Sequence, residues 1–138
     1  MKIAIVGATG MVGRTMLKVL DERNLNYDEL TLVASDASEG KEIVFQEKTF
    51  QTTTIDKALE QDLDAVLFSA GGSVSQEYAP KFAKKGAYVI DNSSAWRMED
   101  SCPLVVPQIN AGQINESTKI IANPNLSLIH ISEPTRPY

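Results

Sequence analysis

Short apolar, β-branched runs recur along the chain at Ile3–Val6, Leu30–Ala34, Ala65–Phe68, Tyr88–Ile90 and Lys119–Ala122. Polar or glycine-containing segments flank each run, the pattern of strands buried within a sheet. Between the runs the period changes. Met11, Met16, Leu17, Val19 and Leu20 fall on one side of a helix that should end near Arg23–Asn24. Further helices are predicted over Asp56–Gln61, Val74–Lys85 and Ala111–Ser117, with Pro80 a point where the third would bend or shorten. Residues Lys41–Thr54 alternate loosely, through Ile43, Phe45 and then Phe50, and suit a hairpin or edge strands. Strands alternating with helices imply βαβ units and a mostly parallel sheet with right-handed crossovers.

With 138 residues the chain suffices for one domain with a real core and falls short of two. Its net charge of −5 argues against nucleic acid as a partner, which calls for a basic patch. No apolar run approaches the ~20 residues needed to span a bilayer, so no membrane partner is expected. The opening MKIAIVGATG lacks the long apolar region and cleavage site of a secretory signal. The one cysteine, Cys102, rules out an internal disulfide framework and fits a reducing cytoplasm. No metal is called for.

The first strand runs straight into Gly7-Ala8-Thr9-Gly10-Met11-Val12-Gly13, and a helix follows. Strand, glycine-rich turn and helix N-terminus together make an anion site, because backbone N–H groups point outward where the helix dipole favours negative charge. Gly7 permits the tight turn, Gly10 lets a diphosphate approach the backbone, and Gly13 lets helix and strand pack closely. The spacing is GxxGxxG rather than GxGxxG. Its strand–helix context favours dinucleotide binding over a plain glycine joint. The fold class is therefore α/β, a Rossmann-type doubly wound and mostly parallel sheet, here incomplete.

Three later loops bear on that site. After the second strand come Ser35-Asp36-Ala37-Ser38-Glu39-Gly40-Lys41, where dinucleotide folds read the adenosine ribose. An acid there bonds a free 2′-hydroxyl, whereas arginine and hydroxyls accept a 2′-phosphate. Asp36 suits the first task, and Ser35, Ser38 and Lys41 suit the second; the choice stays open. Phe68-Ser69-Ala70-Gly71-Gly72-Ser73 ends another strand in small residues that let a cofactor lie close to the backbone. Strand Tyr88–Ile90 then delivers Asp91-Asn92-Ser93-Ser94-Ala95-Trp96-Arg97. Arg97, alone, would be a surface residue; in the company of Asn92, Ser93 and Ser94 it can clamp a phosphate or carboxylate.

Five blocks in this order, GATGMVG, FSAGGSVS, DNSSAWRM, PLVVPQIN and IIANPN, closely resemble the N-terminal part of aspartate-β-semialdehyde dehydrogenases over nearly all of residues 1–125. The resemblance implies an enzyme that reduces β-aspartyl phosphate with NADPH to aspartate semialdehyde and phosphate, on the route to lysine, threonine and methionine. In that family a cysteine thiolate attacks the acyl group, phosphate leaves, and the thioester accepts hydride; a histidine of a second domain is the acid/base. Matching motifs imply that Thr9, Gly10, Met11 and Val12 touch the cofactor phosphates, with Ser38 near the ribose. They imply too that Arg97 holds the substrate phosphate beside Asn92. Gly7, Gly13, Ser35 and Gly72 complete the cofactor-binding set. The partner implied is a small-molecule substrate, and the whole enzyme would be a homodimer or homotetramer.

Two departures qualify that picture. The family pattern S-x-R-S-x-G has arginine where this chain has Ala37, so NADP loses a strong donor and NAD becomes credible. The family's N-P-N-C supplies the nucleophile, and here Asn125 is followed by Leu126, which cannot form an acyl-enzyme. Cys102, before Pro103 in a different loop, reads as a structural thiol. The stretch Leu126–Tyr138 reads as translated sequencing adapter joined to a truncated gene, which makes His130 accidental. The expectation is a dinucleotide-binding domain at 1–125, a foreign tail at 126–138, no catalytic residue, and marginal stability. The competing readings are a relative of N-acetyl-γ-glutamyl-phosphate reductase and a non-catalytic NAD(P)-binding module.

Overall fold

A computed structural model describes residues 1–97, 102, 104, 105, 109, 112 and 119–123. The helix expected at Ala111–Ser117, Gly112 apart, and the tail Leu126–Tyr138 lie outside the described residues.

Among the described residues five parallel strands form the sheet: β1 (Lys2–Val6), β2 (Glu29–Val33), β5 (Ala65–Phe68), β6 (Tyr88–Asp91) and β7 (Ile120–Ala122), in the order β2-β1-β5-β6-β7. Helix α1 (Met11–Glu22) joins β1 to β2, and α3 (Gly72–Lys84) joins β5 to β6. Between β2 and β5 lie an antiparallel hairpin, β3 (Glu42–Phe45) with β4 (Lys48–Gln51), and the short α2 (Ile55–Leu59). The strand order reverses at β1, so a crevice opens beyond the carboxyl ends of β1 and β5, where such sheets bind ligands.

Each face of the sheet carries its own core. Ala4, Val6, Val66, Phe68 and Val89 pack against Ala58 of α2 and Ala79 and Phe82 of α3. Ile3, Ile5, Leu30 and Leu32 point the other way, onto Leu17 and Leu20 of α1 and Phe45 of the hairpin. The alternation within β1 makes this division, since neighbouring side chains of a strand leave opposite faces. Phe68 and Phe82 meet edge-on at 5.8 Å, an arrangement that adds about 1 kcal/mol to the area they bury. The two faces are not equally covered. On the α1 face, Leu67 packs at the edge of that core, Ala65, Leu67, Ile90 and Ile121 are only half-buried, and Tyr88 is exposed.

Several predicted boundaries shift for physical reasons. β2 begins at Glu29, whose charge hid it from the apolar pattern, because its backbone pairs with Lys2. α3 begins at Gly72, ahead of its first apolar residue, because Gly71 (φ +96°) turns the chain into the helix. Pro80 neither ends nor shortens α3. Both Pro80 and Gln76, whose carbonyl loses its helical donor, lie on the exposed side of the helix. No described helix is long and apolar enough to cross a membrane.

Candidate functional site

The glycine turn after β1 is suspended between its neighbouring strands. The N–H groups of Gly7 and Ala8 both donate to Val33 O at the end of β2, at 2.9 and 3.1 Å. On the other side Ser69, just past β5, donates from its N–H to Val6 O at 2.9 Å. A side chain at Gly7 (φ +91°) would put its Cβ 2.8 Å from Ser69 O, and one at Gly13 only 2.2 Å from Gly7 O. Both contacts are with backbone, which cannot move aside, so the turn has room for hydrogen alone at these positions. At Gly10 the space is open: an added Cβ would meet only Gly7 O, at an ordinary 3.5 Å.

Gly10 is also the N-cap of α1, with no side chain capping it and no acid in the first turn. The first N–H groups of a helix have no acceptor within the helix. Met11 and Val12 are exposed there, Met11 at 85%, despite their apolar side chains. Thr9, Met11, Arg14, Thr15 and Lys18 line a groove of ≈ 460 Å³ along this start. α3 begins likewise, from Gly71 with no side-chain cap. Hence two open helix starts flank the crevice between β1 and β5. A further hollow of ≈ 360 Å³, among Lys2, Asp62, Asp64 and Lys85, lies at the opposite ends of the strands, away from these N–H groups.

The loop after β2 is a single 3-10 turn, Asp36–Ser38, started by Ser35. Thr52 holds it from behind. Its buried hydroxyl donates to Ser38 O and accepts from Lys41 N–H, while its carbonyl accepts from Gly40 N–H at 2.9 Å. Ser35, Asp36, Ala37 and Glu39 are thereby displayed to solvent on a fixed backbone, with Ser38 half-buried. Lys57 of α2 is ion-paired with Glu39, and the hydrogen bond it donates to that carboxylate raises the lysine's pKa, the carboxylate's charge adding to the effect. Tyr78 of α3 donates to Asp56 at 3.2 Å. Its phenol is raised above the usual value by desolvation first, then by Asp56, Glu77 and Asp36.

Beyond β6 the structure brings Asn92 and Arg97 together. Arg97 Nε donates to Asn123 O and Nη2 to Asn92 O, both at 3.1 Å. Asn123 Nδ2 donates to Asn92 Oδ1 at 2.7 Å. The arginine thus clasps the loops that follow β6 and β7, using two of the five N–H groups a guanidinium carries. Asp91 lies beneath them, fully buried; its carboxylate accepts from the Ser93 N–H at 3.1 Å and from the Ser93 hydroxyl. Trp96 Nε1 donates to the buried hydroxyl of Ser75 at 2.8 Å, which ties the DNSSAWRM block to the FSAGGSVS block. Gly72 faces the same seam, 3.9 Å from Ala95 Cβ were it given a side chain.

All of the expected cofactor residues therefore stand at one end of the sheet. The glycine turn holds Gly7, Thr9, Gly10, Met11, Val12 and Gly13, Ser35 and Ser38 belong to the loop after β2, and Gly72 starts α3. Asn92 and Arg97 lie beyond β6 at that same end. Sequence reasoning missed Thr52, Ser75, Asp91 and Asn123. Only Asp91 left a signal, as a lone acid closing an apolar run. Among the described residues no cluster of His, Cys, Asp and Glu could hold a metal ion, and Cys102 is buried. The residues fit a dinucleotide. Backbone contacts within the turn leave no room for side chains at Gly7 and Gly13, and the adjoining helix start has neither a side-chain cap nor a carboxylate.

A family model described as "Semialdehyde dehydrogenase, NAD binding domain" matches residues 2–117. The aspartate-semialdehyde dehydrogenase of Aquifex aeolicus is 53% identical over 139 residues, covering 99% of this chain and 41% of that protein. Its counterpart in Bacillus subtilis is 47% identical over 138 residues, covering 98% and 39%. The chain thus spans about two fifths of the length of these curated relatives. The crystal structure of aspartate semialdehyde dehydrogenase II from Vibrio cholerae, complexed with ASA, superposes with a TM-score of 0.88. Sequence identity is 46%, over 95% of this chain and 44% of that one. A Rex-family repressor, at 14% identity and a TM-score of 0.59, shares the fold alone.

Proposed function

The chain belongs to the semialdehyde dehydrogenase family, and from that premise we propose that it is the N-terminal, cofactor-holding part of an aspartate-β-semialdehyde dehydrogenase. The whole enzyme reduces β-aspartyl phosphate to aspartate semialdehyde and phosphate in lysine, threonine and methionine biosynthesis, in the cytoplasm, as a homodimer or homotetramer. One observation carries this reading: the glycine turn and the Arg97 loop open at the same end of one parallel sheet. A dinucleotide and an acyl phosphate would then lie side by side.

Within that reading, residues 1–125 are the dinucleotide-binding domain and Leu126–Tyr138 is sequence foreign to it. The N–H groups at the start of α1 receive the diphosphate, with Thr9, Gly10, Met11 and Val12 against it and Gly7 and Gly13 shaping the turn. Ser35 and Ser38 attend the ribose, and Gly72 lets the cofactor pass close to α3. The bound nicotinamide supplies the hydride. Arg97, steadied by Asn92 and Asn123, presents its remaining N–H groups to the substrate phosphate. NADP is the cofactor implied by the resemblance, and Ala37 in place of the family's arginine opens the site to NAD. Leu126 offers no nucleophile, so this chain itself is inert.

The test assays the product of the intact gene, with cysteine at position 126, against β-aspartyl phosphate and N-acetyl-γ-glutamyl phosphate. Reduction of the first and not the second is expected, with no turnover of either by this chain. Preference for the second substrate, or turnover by the chain carrying Leu126, would overturn the reading.

A further inference from the structure

We infer that the loop after β2 selects the cofactor by its 2′ substituent, favouring NAD(H) with its free 2′-hydroxyl over the 2′-phosphate of NADP(H). The inference rests on the dinucleotide reading above and concerns the ribose end of that same site.

Four observations carry it. First, the turn Asp36–Ser38 contains no arginine, and Ala37 ends at a methyl group that can donate nothing. Second, Lys57 of the adjoining α2 is ion-paired with Glu39, a carboxylate of this same loop that offsets its charge. Third, the carboxylate of Asp36 is exposed on this turn, at the position where dinucleotide folds place the acid that accepts from a ribose hydroxyl. Asp56, bonded to Tyr78, adds negative charge on the adjoining α2. Fourth, Thr52 pins the loop by four hydrogen bonds, so the backbone that carries the acids has little freedom to move clear of an incoming dianion. Lys41, exposed at the end of the loop, is the one basic residue between Ala34 and Lys48, and its single charge does not offset Asp36 and Asp56 together.

A hydroxyl donates to a carboxylate, whereas a phosphate dianion is repelled by it. Even one such like-charge contact near a protein surface changes affinity roughly tenfold. Ser35 and Ser38 do not reverse this, because a hydroxyl serves either substituent.

The test measures dissociation constants of NADH and NADPH for this chain by titration calorimetry, beside two variants at exposed positions, Asp36→Ala and Ala37→Arg. NADH is expected to bind about tenfold more tightly than NADPH. Asp36→Ala should narrow that gap by weakening NADH, and Ala37→Arg should reverse it by strengthening NADPH. NADPH binding as tightly as NADH, or more tightly, in the unaltered chain overturns the selectivity and leaves the dinucleotide reading standing. Binding of neither nucleotide overturns both.

Discussion

Helices α1 and α2 start in opposite ways, although both follow a strand of the sheet or its hairpin. At α2, Thr54 caps the helix, its hydroxyl accepting from Lys57 N–H at 3.4 Å, and Asp56 puts a carboxylate in the first turn. The positive end of that helix is closed by its own sequence. At α1 the cap is Gly10, no side chain caps the first N–H groups, and no acid lies in the first turn. A helix of 12 residues leaving its N–H groups bare forgoes stabilisation that a serine or aspartate would supply at no steric cost. The contrast teaches that the start of α2 is closed by its own sequence, whereas that of α1 is left open, as the proposed anion site requires.

The most severe way to break the contrast is Gly13→Ala. Its Cβ would lie 2.2 Å from Gly7 O, so helix and turn must separate, at about 3 kcal/mol or more. Loss of a cooperative circular-dichroism melt is expected; an unchanged melting temperature would show that the close approach is unimportant.

Gly10→Asp sharpens the contrast. The backbone there is extended (φ −79°, ψ 171°) and accepts any residue, so an α2-like cap should form and leave the melting temperature level or higher. Nucleotide affinity should nevertheless fall roughly tenfold or more, since a carboxylate now occupies the anion's place. Unaltered affinity in calorimetry would mean that the diphosphate lies elsewhere.

Two milder changes test what supports these starts. Trp96→Phe removes the hydrogen bond to Ser75 near the open start of α3 and should cost about 1 kcal/mol in urea denaturation. Thr54→Ala should cost ~1 kcal/mol or less and leave nucleotide binding untouched. A loss of binding there would erase the distinction between the two helices.

The same contrast explains what the sequence disclosed. The glycine turn was legible because its requirement is steric: Gly7 and Gly13 are set by backbone atoms a few residues away or on the adjoining strand. The parallel sheet was legible through Ile3–Val6 and Val66–Phe68, whose runs are apolar on both faces. Arg97 was legible as a candidate, but not its partners, because Asn92 and Asn123 lie 5 and 26 residues away and offer backbone carbonyls that no residue type announces. Thr52 was hidden for the same reason. It reads as an ordinary hairpin residue, and only the folded chain brings its hydroxyl beneath Ser38 and Lys41. The half-covered α1 face at Leu67, Ile90 and Ile121 could not be read from strand patterns, which show that a strand is apolar without showing what lies upon it.

Trp96 is the sole tryptophan of the chain, and its indole is bonded to the first turns of α3 beside the crevice. Ultraviolet emission from this chain therefore originates largely from one seam, with four tyrosines as background. A reduced nicotinamide absorbs where an indole emits, so a nucleotide arriving between β1 and β5 should quench that light without any added label. The fold carries its own optical gauge at the place where occupancy matters.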